Sequence, residues 1–154
     1  VNNGSYNYDL YVFGSGSIIF PSSMTNWYNN RKYIKEVITM IKKAAEFTPD
    51  YRENMRGGNG TIQITHFATP AELNDKGRMF SNITLAPGCS IGYHVHEADS
   101  ELFYIMKGEA LYNDNGTEIT VKAGDTTVTP SGSGHSVRND TNEPCEILAL
   151  IVYA

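Results

Sequence analysis

Gly88-Cys-Ser-Ile-Gly-Tyr-His94-Val-His96-Glu-Ala-Asp-Ser-Glu101-Leu-Phe-Tyr-Ile-Met-Lys-Gly108 is the stretch of this chain that decides its fold. Two histidines stand two residues apart, a glutamate follows them, and a glycine closes the segment at each end. A second segment, Gly124-Asp-Thr-Thr-Val-Thr-Pro130-Ser-Gly132-Ser-Gly-His135-Ser-Val-Arg-Asn139, carries one further histidine. The chain has only four histidines and three of them lie in these two segments, so we expect them to share one chemical role.

The spacing of these residues predicts a single metal site. Side chains two apart on a strand point to the same face, so His94 and His96 should share one face. Glu101 opens the next predicted strand, and antiparallel pairing can bring His135 beside them from the second segment. Three neutral imidazoles and a carboxylate suit a divalent transition metal (manganese, iron, nickel, zinc or copper), with positions left open for water or a ligand. We therefore predict one metal ion per chain, held by His94, His96, Glu101 and His135.

The fourth histidine and the two cysteines carry no comparable pattern. His66 lies outside both segments and is predicted to be an ordinary strand residue. Cys89 and Cys145 are far apart, and neither has ligand spacing to the histidines. We interpret them as two buried thiols in a reducing compartment.

Residues 61–154 show short β-prone runs separated by turn signals about every eight to twelve residues, a pattern typical of a sandwich or barrel. The predicted strands are Thr61–Phe67, Arg78–Leu85, Ile91–His96, Glu101–Lys107, Glu109–Asn113, Thr117–Val121, Asp125–Thr129, His135–Asn139 and Cys145–Tyr153. Arg56-Gly-Gly-Asn-Gly60, before the first of these strands, is predicted to be a flexible turn. It is not a phosphate-binding loop, because no Lys-Ser/Thr pair follows it.

The part of the chain before residue 61 has a different character. Residues 1–29 are rich in aromatic residues and hold a single charge, Asp9, which predicts a packed extension with strands at Tyr8–Phe13 and Ser17–Phe20. Apolar residues at helical spacing predict an amphipathic helix over Asn30–Phe47, stopped by Pro49. We thus divide the chain into an extension (1–29), a helix with a connecting loop (30–60) and a barrel (61–154).

Composition narrows the classes of partner. The net charge of −5 and the pI near 5.3 argue against a nucleic-acid or anionic-membrane surface, which would need a basic patch. No run of residues reaches the length of a membrane span, and no secretory leader is recognised, so we expect a cytoplasmic location. Exposed sheet edges invite pairing, so we expect a homodimer.

The two segments resemble the sequence blocks of the cupin family. The first block is matched by Gly88, His94, His96, Glu101 and Gly108, and the second by Gly124, Pro130, Gly132, His135 and Asn139. The resemblance is to small single-domain cupins and covers roughly residues 61–154. It implies an all-β fold, a cupin-type antiparallel β-barrel (double-stranded β-helix or jelly roll), to which the N-terminal helix is added. It also implies that the four proposed ligands face the inside of the barrel.

The pocket around the site is predicted to be narrow and mostly apolar. Residues alternating with the ligands should line it: Phe103, Ile105, Val137 and some of Arg78, Phe80, Asn82 and Thr84. Tyr93 and Tyr104 are weak candidates for catalytic groups, and Asn139 is predicted to tie down a loop by bonds to backbone. Glu97 and Asp99 are interpreted as parts of a solvated turn.

Cupins serve many chemistries, and the fold does not choose among them. We expect a metalloenzyme acting on a small organic substrate, with dioxygenase chemistry ahead of isomerase, decarboxylase or lyase chemistry, because an apolar wall suits sugars poorly. The alternative is a metal-dependent module that binds or senses a sugar or carboxylate without turnover. A third hypothesis is a structural protein that uses the metal to hold its fold together.

Overall fold

The computed structural model describes residues 8–13, 16–21 and 41–154. The chain divides into two compact units, residues 1–41 and residues 42–154. In the first unit, β1 (Tyr8–Phe13) and β2 (Gly16–Pro21) pair antiparallel, with Tyr8 opposite Pro21 and Phe13 opposite Gly16. These strands coincide with the two that the aromatic pattern predicts. The division at residues 29 and 60 stays a prediction.

The predicted helix Asn30–Phe47 falls mostly outside the described residues. Its last part is described, and there the prediction is wrong: the chain forms only a single 3-10 turn, Ala44–Glu46. Tertiary contacts explain the difference. The Lys42 ammonium donates to the Phe67 carbonyl at 3.1 Å, and the Phe47 ring packs edge-on against Phe67 at 5.4 Å. These contacts hold residues 42–47 against the strand that contains Phe67, so tertiary packing outweighs their helix propensity.

The second unit is built from ten strands and is all-β apart from 3-10 turns at Ala44–Glu46 and Met55–Gly57, which confirms the predicted fold class. The strands are β3 (Asp50–Glu53), β4 (Thr61–Ala68), β5 (Gly77–Leu85), β6 (Ser90–Val95), β7 (Asp99–Lys107), β8 (Glu109–Asp114), β9 (Thr117–Lys122), β10 (Thr126–Thr129), β11 (Gly134–Arg138) and β12 (Cys145–Tyr153). Strand β3 was not predicted, because it is short, polar and paired only at the sheet edge, with β4.

The ten strands form two antiparallel sheets. One has the order β10-β7-β12-β5-β4-β3 and the other the order β6-β11-β8-β9. Their facing sides share one apolar core, which includes Ile62, Ile83, Phe103, Val137 and Ile147. The sheets therefore meet as the two walls of a barrel, and strands β6, β7 and β11 bring both walls to the candidate metal centre.

Strand β5 shows how alternation selects the inward face. Met79, Ser81, Ile83 and Leu85 are buried, whereas the alternate side chains are at least partly exposed. Of the residues predicted to face inward, Phe103, Ile105 and Val137 do so. The prediction is wrong for Phe80, Asn82 and Thr84, because they have the opposite parity on β5.

Asn139 is fully buried where β11 ends. Its side-chain amide donates to the carbonyl oxygens of Leu85 and Glu143, both at 2.8 Å, and its Oδ1 accepts from the Thr141 backbone at 3.0 Å. The predicted role, tying down a loop through backbone groups, is thereby confirmed.

Cys89 and Cys145 are both free thiols, and Cys145 is buried whereas Cys89 is only half-buried. Within the described ranges, no helix has the length and apolar character that crossing a bilayer requires. The cytoplasmic location stays a prediction.

Candidate metal centre

Four side chains converge at one end of the barrel. The ligand-type atoms of His94, His96, Glu101 and His135 all lie within 4.8 Å of one another, and the cluster can hold a metal ion. The Nε2 atom of His135 is 3.2 Å from that of His94 and 3.1 Å from that of His96, and it is 2.9 Å from Glu101 Oε2. All but His94 are buried, and His94 is half-buried.

The strand register sets this geometry. His94 on β6 lies opposite His135 on β11, so two imidazoles face each other across a pair of neighbouring strands. His96 follows the end of β6, where its carbonyl accepts from Gly132 at 2.7 Å and its amide donates to Ser133 at 3.0 Å. Gly132 has a φ of +88°, a conformation that favours glycine. The glycine-rich loop therefore extends the β6–β11 pairing and fixes the backbone of His96.

Each histidine uses its Nδ1 atom elsewhere. His94 Nδ1 lies 3.0 Å from the Gly92 carbonyl, and His96 Nδ1 lies 2.6 Å from Asp99 Oδ1. His135 Nδ1 lies 3.0 Å from the hydroxyl of Tyr112, which also contacts Thr129 Oγ1 at 2.6 Å. When these Nδ1 atoms carry the proton, all three Nε2 lone pairs point into the cluster. Such outer partners orient the histidines that bind a metal.

Asp99 and Tyr112 are the supporting residues that the sequence analysis missed. Asp99 was assigned to a solvated turn, which is wrong: it is only 7% exposed and lies at the start of β7. It is two residues from Glu101, so strand parity places both on the inward face and could have revealed it. Tyr112 gave no such signal, because its contact with His135 depends on the long-range pairing of β8 with β11.

The charges of the cluster are strongly coupled. Burial raises the pKa of Glu101, but hydrogen bonds from His135 and His96 outweigh it and hold this pKa below its ordinary value. The hydrogen bond to Glu101, together with the contact to Asp99, raises the pKa of His96 despite burial. Burial lowers the pKa of His94. Without a metal, Glu101 is thus the anion of the cluster, and His96 holds a proton more readily than His94.

A cavity of about 200 Å³ borders the cluster at His94 and His96. Its lining consists of Arg56, Arg78, His94, Val95, His96, Glu97 and Asp99. The prediction of a mostly apolar pocket is therefore wrong. Phe103, Ile105 and Val137 face inward but are buried in the core, and the Phe103 ring packs against the His135 ring at 5.3 Å. Charged residues near strand ends and from the loop after β3 form the opening instead.

Tyr93 and Tyr104 do not reach the cluster. Tyr93 alternates with His94 along β6, is 51% exposed, and has its hydroxyl 3.5 Å from Asn115 Oδ1. Tyr104 alternates with Phe103 on β7 and is 45% exposed. Both therefore point away from the cavity, and the structure gives them no place in the site. His66 also lies apart from the cluster, with its Nδ1 atom 2.9 Å from Ser81 Oγ.

Comparison with known proteins agrees with this architecture. The family model described as a cupin domain matches residues 81–152. The oxalate-binding protein of Thermotoga maritima is 40% identical over 119 residues, which is 77% of this chain and 98% of that protein. The crystal structure of a predicted oxalate decarboxylase from Thermotoga maritima superposes with a TM-score of 0.72 at 39% identity, over 75% of this chain and all of that chain.

A more distant structure shares the fold. A cupin 2 conserved barrel domain protein from Salinispora arenicola is 28% identical, with a TM-score of 0.53 over 68% of this chain and 82% of that chain. The two sheets and the cluster between them define a small β-barrel protein with a candidate metal centre. The chain belongs to the cupin family.

Proposed function

We propose that this cupin binds a small carboxylate, with oxalate as the first candidate, through a divalent transition metal held by His94, His96, Glu101 and His135. The observation that carries the proposal is the cavity lining. Two arginines, Arg56 and Arg78, line the same cavity as His94 and His96. The lining also includes the carboxylates of Glu97 and Asp99, so the preference for a compact anion over a sugar or an apolar ring comes from the metal acting together with the guanidinium groups.

The donor set fits a metal ion. Three imidazole Nε2 atoms and one carboxylate oxygen converge, and each imidazole has its other nitrogen satisfied by a carbonyl, a carboxylate or a phenol. Nitrogen-rich donors of this kind favour first-row transition-metal ions over magnesium or calcium. Such an ion would supply Lewis-acid positions for carboxylate oxygens. One metal ion per chain, of one of the five elements considered above, is therefore part of the proposal.

Arg78 links the anion to the metal ligands. Its Nε atom donates to Asp99 Oδ2 at 2.6 Å, and Asp99 in turn holds His96. This contact occupies Nε, and the planar guanidinium has two further nitrogens with which to meet a carboxylate. A divalent ion combined with the Glu101 carboxylate leaves one excess positive charge, so an anion is the natural ligand for the remaining positions.

The relatives support the same chemistry. The 40% identical protein is named for binding oxalate, and the 39% identical structure is described as a predicted oxalate decarboxylase. The preference for dioxygenase chemistry rested on an apolar wall, and the cavity has only Val95 as an apolar lining residue. Dioxygenase, isomerase and lyase activities therefore become outcomes of the test.

Decarboxylation of oxalate is the second candidate function. That reaction breaks the carbon–carbon bond, releases carbon dioxide and needs a proton on the remaining carbon to give formate. Glu97 lines the cavity, and its carboxyl group has no hydrogen bond or ion pair within the described part of the chain. It is thus a carboxyl group at the cavity that no other described residue engages.

The experiment has two stages. Elemental analysis after incubation with manganese, iron, nickel, zinc or copper salts should return one metal per chain in the wild type and much less in Glu101→Gln. Titration calorimetry with oxalate should then show binding only to the metal-loaded protein. Formate detected by mass spectrometry would establish turnover, whereas loaded protein that ignores oxalate would rule out the proposal. Oxygen uptake with diketone or catechol substrates would restore the dioxygenase hypothesis.

The proposal also includes a homodimer. Tyr104, Met106 and Val128 are exposed on β7 and on its neighbour β10, which is an edge strand of its sheet. Exposed apolar groups beside an unpaired edge favour association. Light scattering should give twice the chain mass, and Val128→Asp should lower it. A monomer at micromolar concentration would contradict the dimer while leaving the metal site unaffected.

A further inference from the structure

The loop between β3 and β4 has an unusual backbone. Asn54 and Arg56 adopt left-handed conformations, with φ values of 49° and 56°, although neither is a glycine. The loop closes on itself, because the Asn54 amide donates to Gly60 at 2.8 Å and the Gly58 amide donates to Met55 at 3.0 Å. Left-handed arginine is uncommon, and such residues persist where surrounding structure requires them, often at ligand sites.

Close contacts press this loop onto β6, the strand that carries His94. A Cβ atom at Gly92 would overlap the carbonyl oxygen of Arg56, and one at Gly58 would overlap the carbonyl oxygen of Ser90. Asn59 adds three hydrogen bonds: from its amide to Ser90 Oγ at 2.8 Å, from the Ser90 amide to its carbonyl at 2.9 Å, and from its Nδ2 to the Gly88 carbonyl at 2.8 Å. The expected flexible turn is therefore a docked loop, and that expectation is wrong.

The docked loop places one side chain at the cavity that two of the candidate ligands also line. Arg56 lines the cavity together with His94 and His96, and Met55 packs against the core and anchors the turn. The Arg56 guanidinium has no hydrogen bond or ion pair within residues 41–154. Arg78, by contrast, already donates to Asp99. The cavity therefore holds one cation that is committed to the protein and one that is available to a ligand.

We infer that Arg56 is a specificity-determining residue: with Arg78 it binds the oxygens of a metal-bound anion that do not touch the metal. The site then selects short dicarboxylates over monocarboxylates that chelate equally well. This inference rests on the proposed function and adds the residue that distinguishes between ligands. An arginine that served only solubility would not need a left-handed backbone. It would also not need Gly58 and Gly92, whose missing side chains make room for the loop.

The test compares two ligands of similar size. Oxalate and glycolate can both chelate a metal through a five-membered ring, but glycolate lacks the second carboxylate. We expect Arg56→Gln to weaken oxalate binding about 10-fold or more, because a hydrogen bond to a charged group is lost, and to weaken glycolate binding less, because chelated glycolate leaves one oxygen off the metal where oxalate leaves two. Arg56→Lys should recover part of the loss, since it restores the charge without the planar fork.

Matched controls separate the possible causes. Arg52→Gln removes an arginine of the neighbouring strand that pairs with Asp50 at 2.7 Å outside the cavity, and both ligands should bind it as they bind the wild type. Gly58→Ala should displace the loop and reduce the preference for oxalate as Arg56→Gln does. Metal content should match the wild type in every variant, and thermal unfolding should match it in the arginine variants, whereas Gly58→Ala should unfold at a lower temperature.

The outcomes are distinct. An unchanged ratio of oxalate to glycolate affinity in Arg56→Gln, with full metal content, overturns the assignment of Arg56 and leaves the proposed function standing. Loaded wild type that binds neither ligand overturns both. A loss of metal from Arg56→Gln would show that Arg56 supports the ligand cluster and does not select the anion, which also overturns the inference.

Discussion

The Asp99 carboxylate lies 2.6 Å from Nδ1 of His96, and the pair sits directly behind the candidate metal centre. This contact fixes which His96 nitrogen is left for a metal and makes the imidazole a stronger donor. We expect Asp99→Asn to lower metal affinity about 10- to 100-fold, as loss of such partners generally does. Competition with a coloured chelator measures the effect. Asp140→Asn is the matched control, because Asp140 pairs with the exposed Arg138 at 2.7 Å and is not one of the cluster residues, and it should behave as the wild type.

Loss of a proposed ligand should have a larger effect than loss of its partner. His96→Ala removes one of four donors from a buried cluster, and we expect metal affinity to fall by more than about 100-fold. His66→Ala is the control, because His66 contacts Ser81 and lies outside the cluster. Equal metal content in the two variants, measured by elemental analysis, would contradict the assignment.

Metal binding should release protons at neutral pH. The hydrogen bond to Glu101 raises the pKa of His96, so part of the metal-free protein carries a proton on that imidazole near pH 7. The metal needs the neutral imidazole, so affinity should rise with pH through and above the ordinary histidine range. Calorimetry in buffers of different ionisation enthalpy counts the protons. A heat of binding that is the same in all buffers would disprove the coupling.

The buried Cys145 thiol should make the protein less stable at alkaline pH. Burial raises the pKa of its thiol from 9.0 to about 11. As the pH rises, the unfolded chain therefore loses this proton before the folded chain does. The protonated thiol thus stabilises the folded state fully below pH 9, and this stabilisation is lost as the pH rises towards about 11. The free energy of unfolding should fall by about 2 kcal/mol across that window, at 1.36 kcal/mol for each pKa unit.

Urea titrations of Cys145→Ala and Cys89→Ala at several alkaline pH values provide the measurement. The alanine at 145 creates a small void, so this variant should be less stable at every pH but should lack the extra alkaline loss. Cys89→Ala should keep the slope of the wild type. If the free energy of unfolding falls with pH equally steeply in the wild type and both variants, Cys145 does not cause the alkaline loss of stability.

The fold and the cluster could be predicted because they depend on local patterns. Alternation of apolar residues locates the strands. His94 and His96, and likewise Gly132 and His135, are so close in sequence that their spacing alone predicts their relative positions. The inner face of β5 was assigned to the wrong parity, because Arg78 to Thr84 is mixed in character and only the pairing with β12 identifies Ser81 as an inward residue. When a strand has polar residues on both faces, its sequence alone does not show which face is buried.

The cavity opening could not be predicted for a related reason. Arg56 reaches the site from a segment outside both sequence blocks, through contacts with Gly92 that involve backbone atoms. Contacts between backbone atoms can form with almost any residue type, so apart from the glycines the sequence does not indicate them. The contact of Tyr112 with His135 likewise depends on how β8 and β11 meet.

The order of the ligands along the chain has a consequence for assembly. His94, His96 and Glu101 are near neighbours in sequence, whereas His135 stands 41 residues after His94 and arrives only when β11 joins β6 and β8. An unfolded chain can thus meet an ion with three donors before its most distant strand pairs are made. Closing that long loop costs entropy during folding, and an ion already in place provides a partner for the arriving strand. Refolding with metal present should therefore be faster than refolding followed by metal addition.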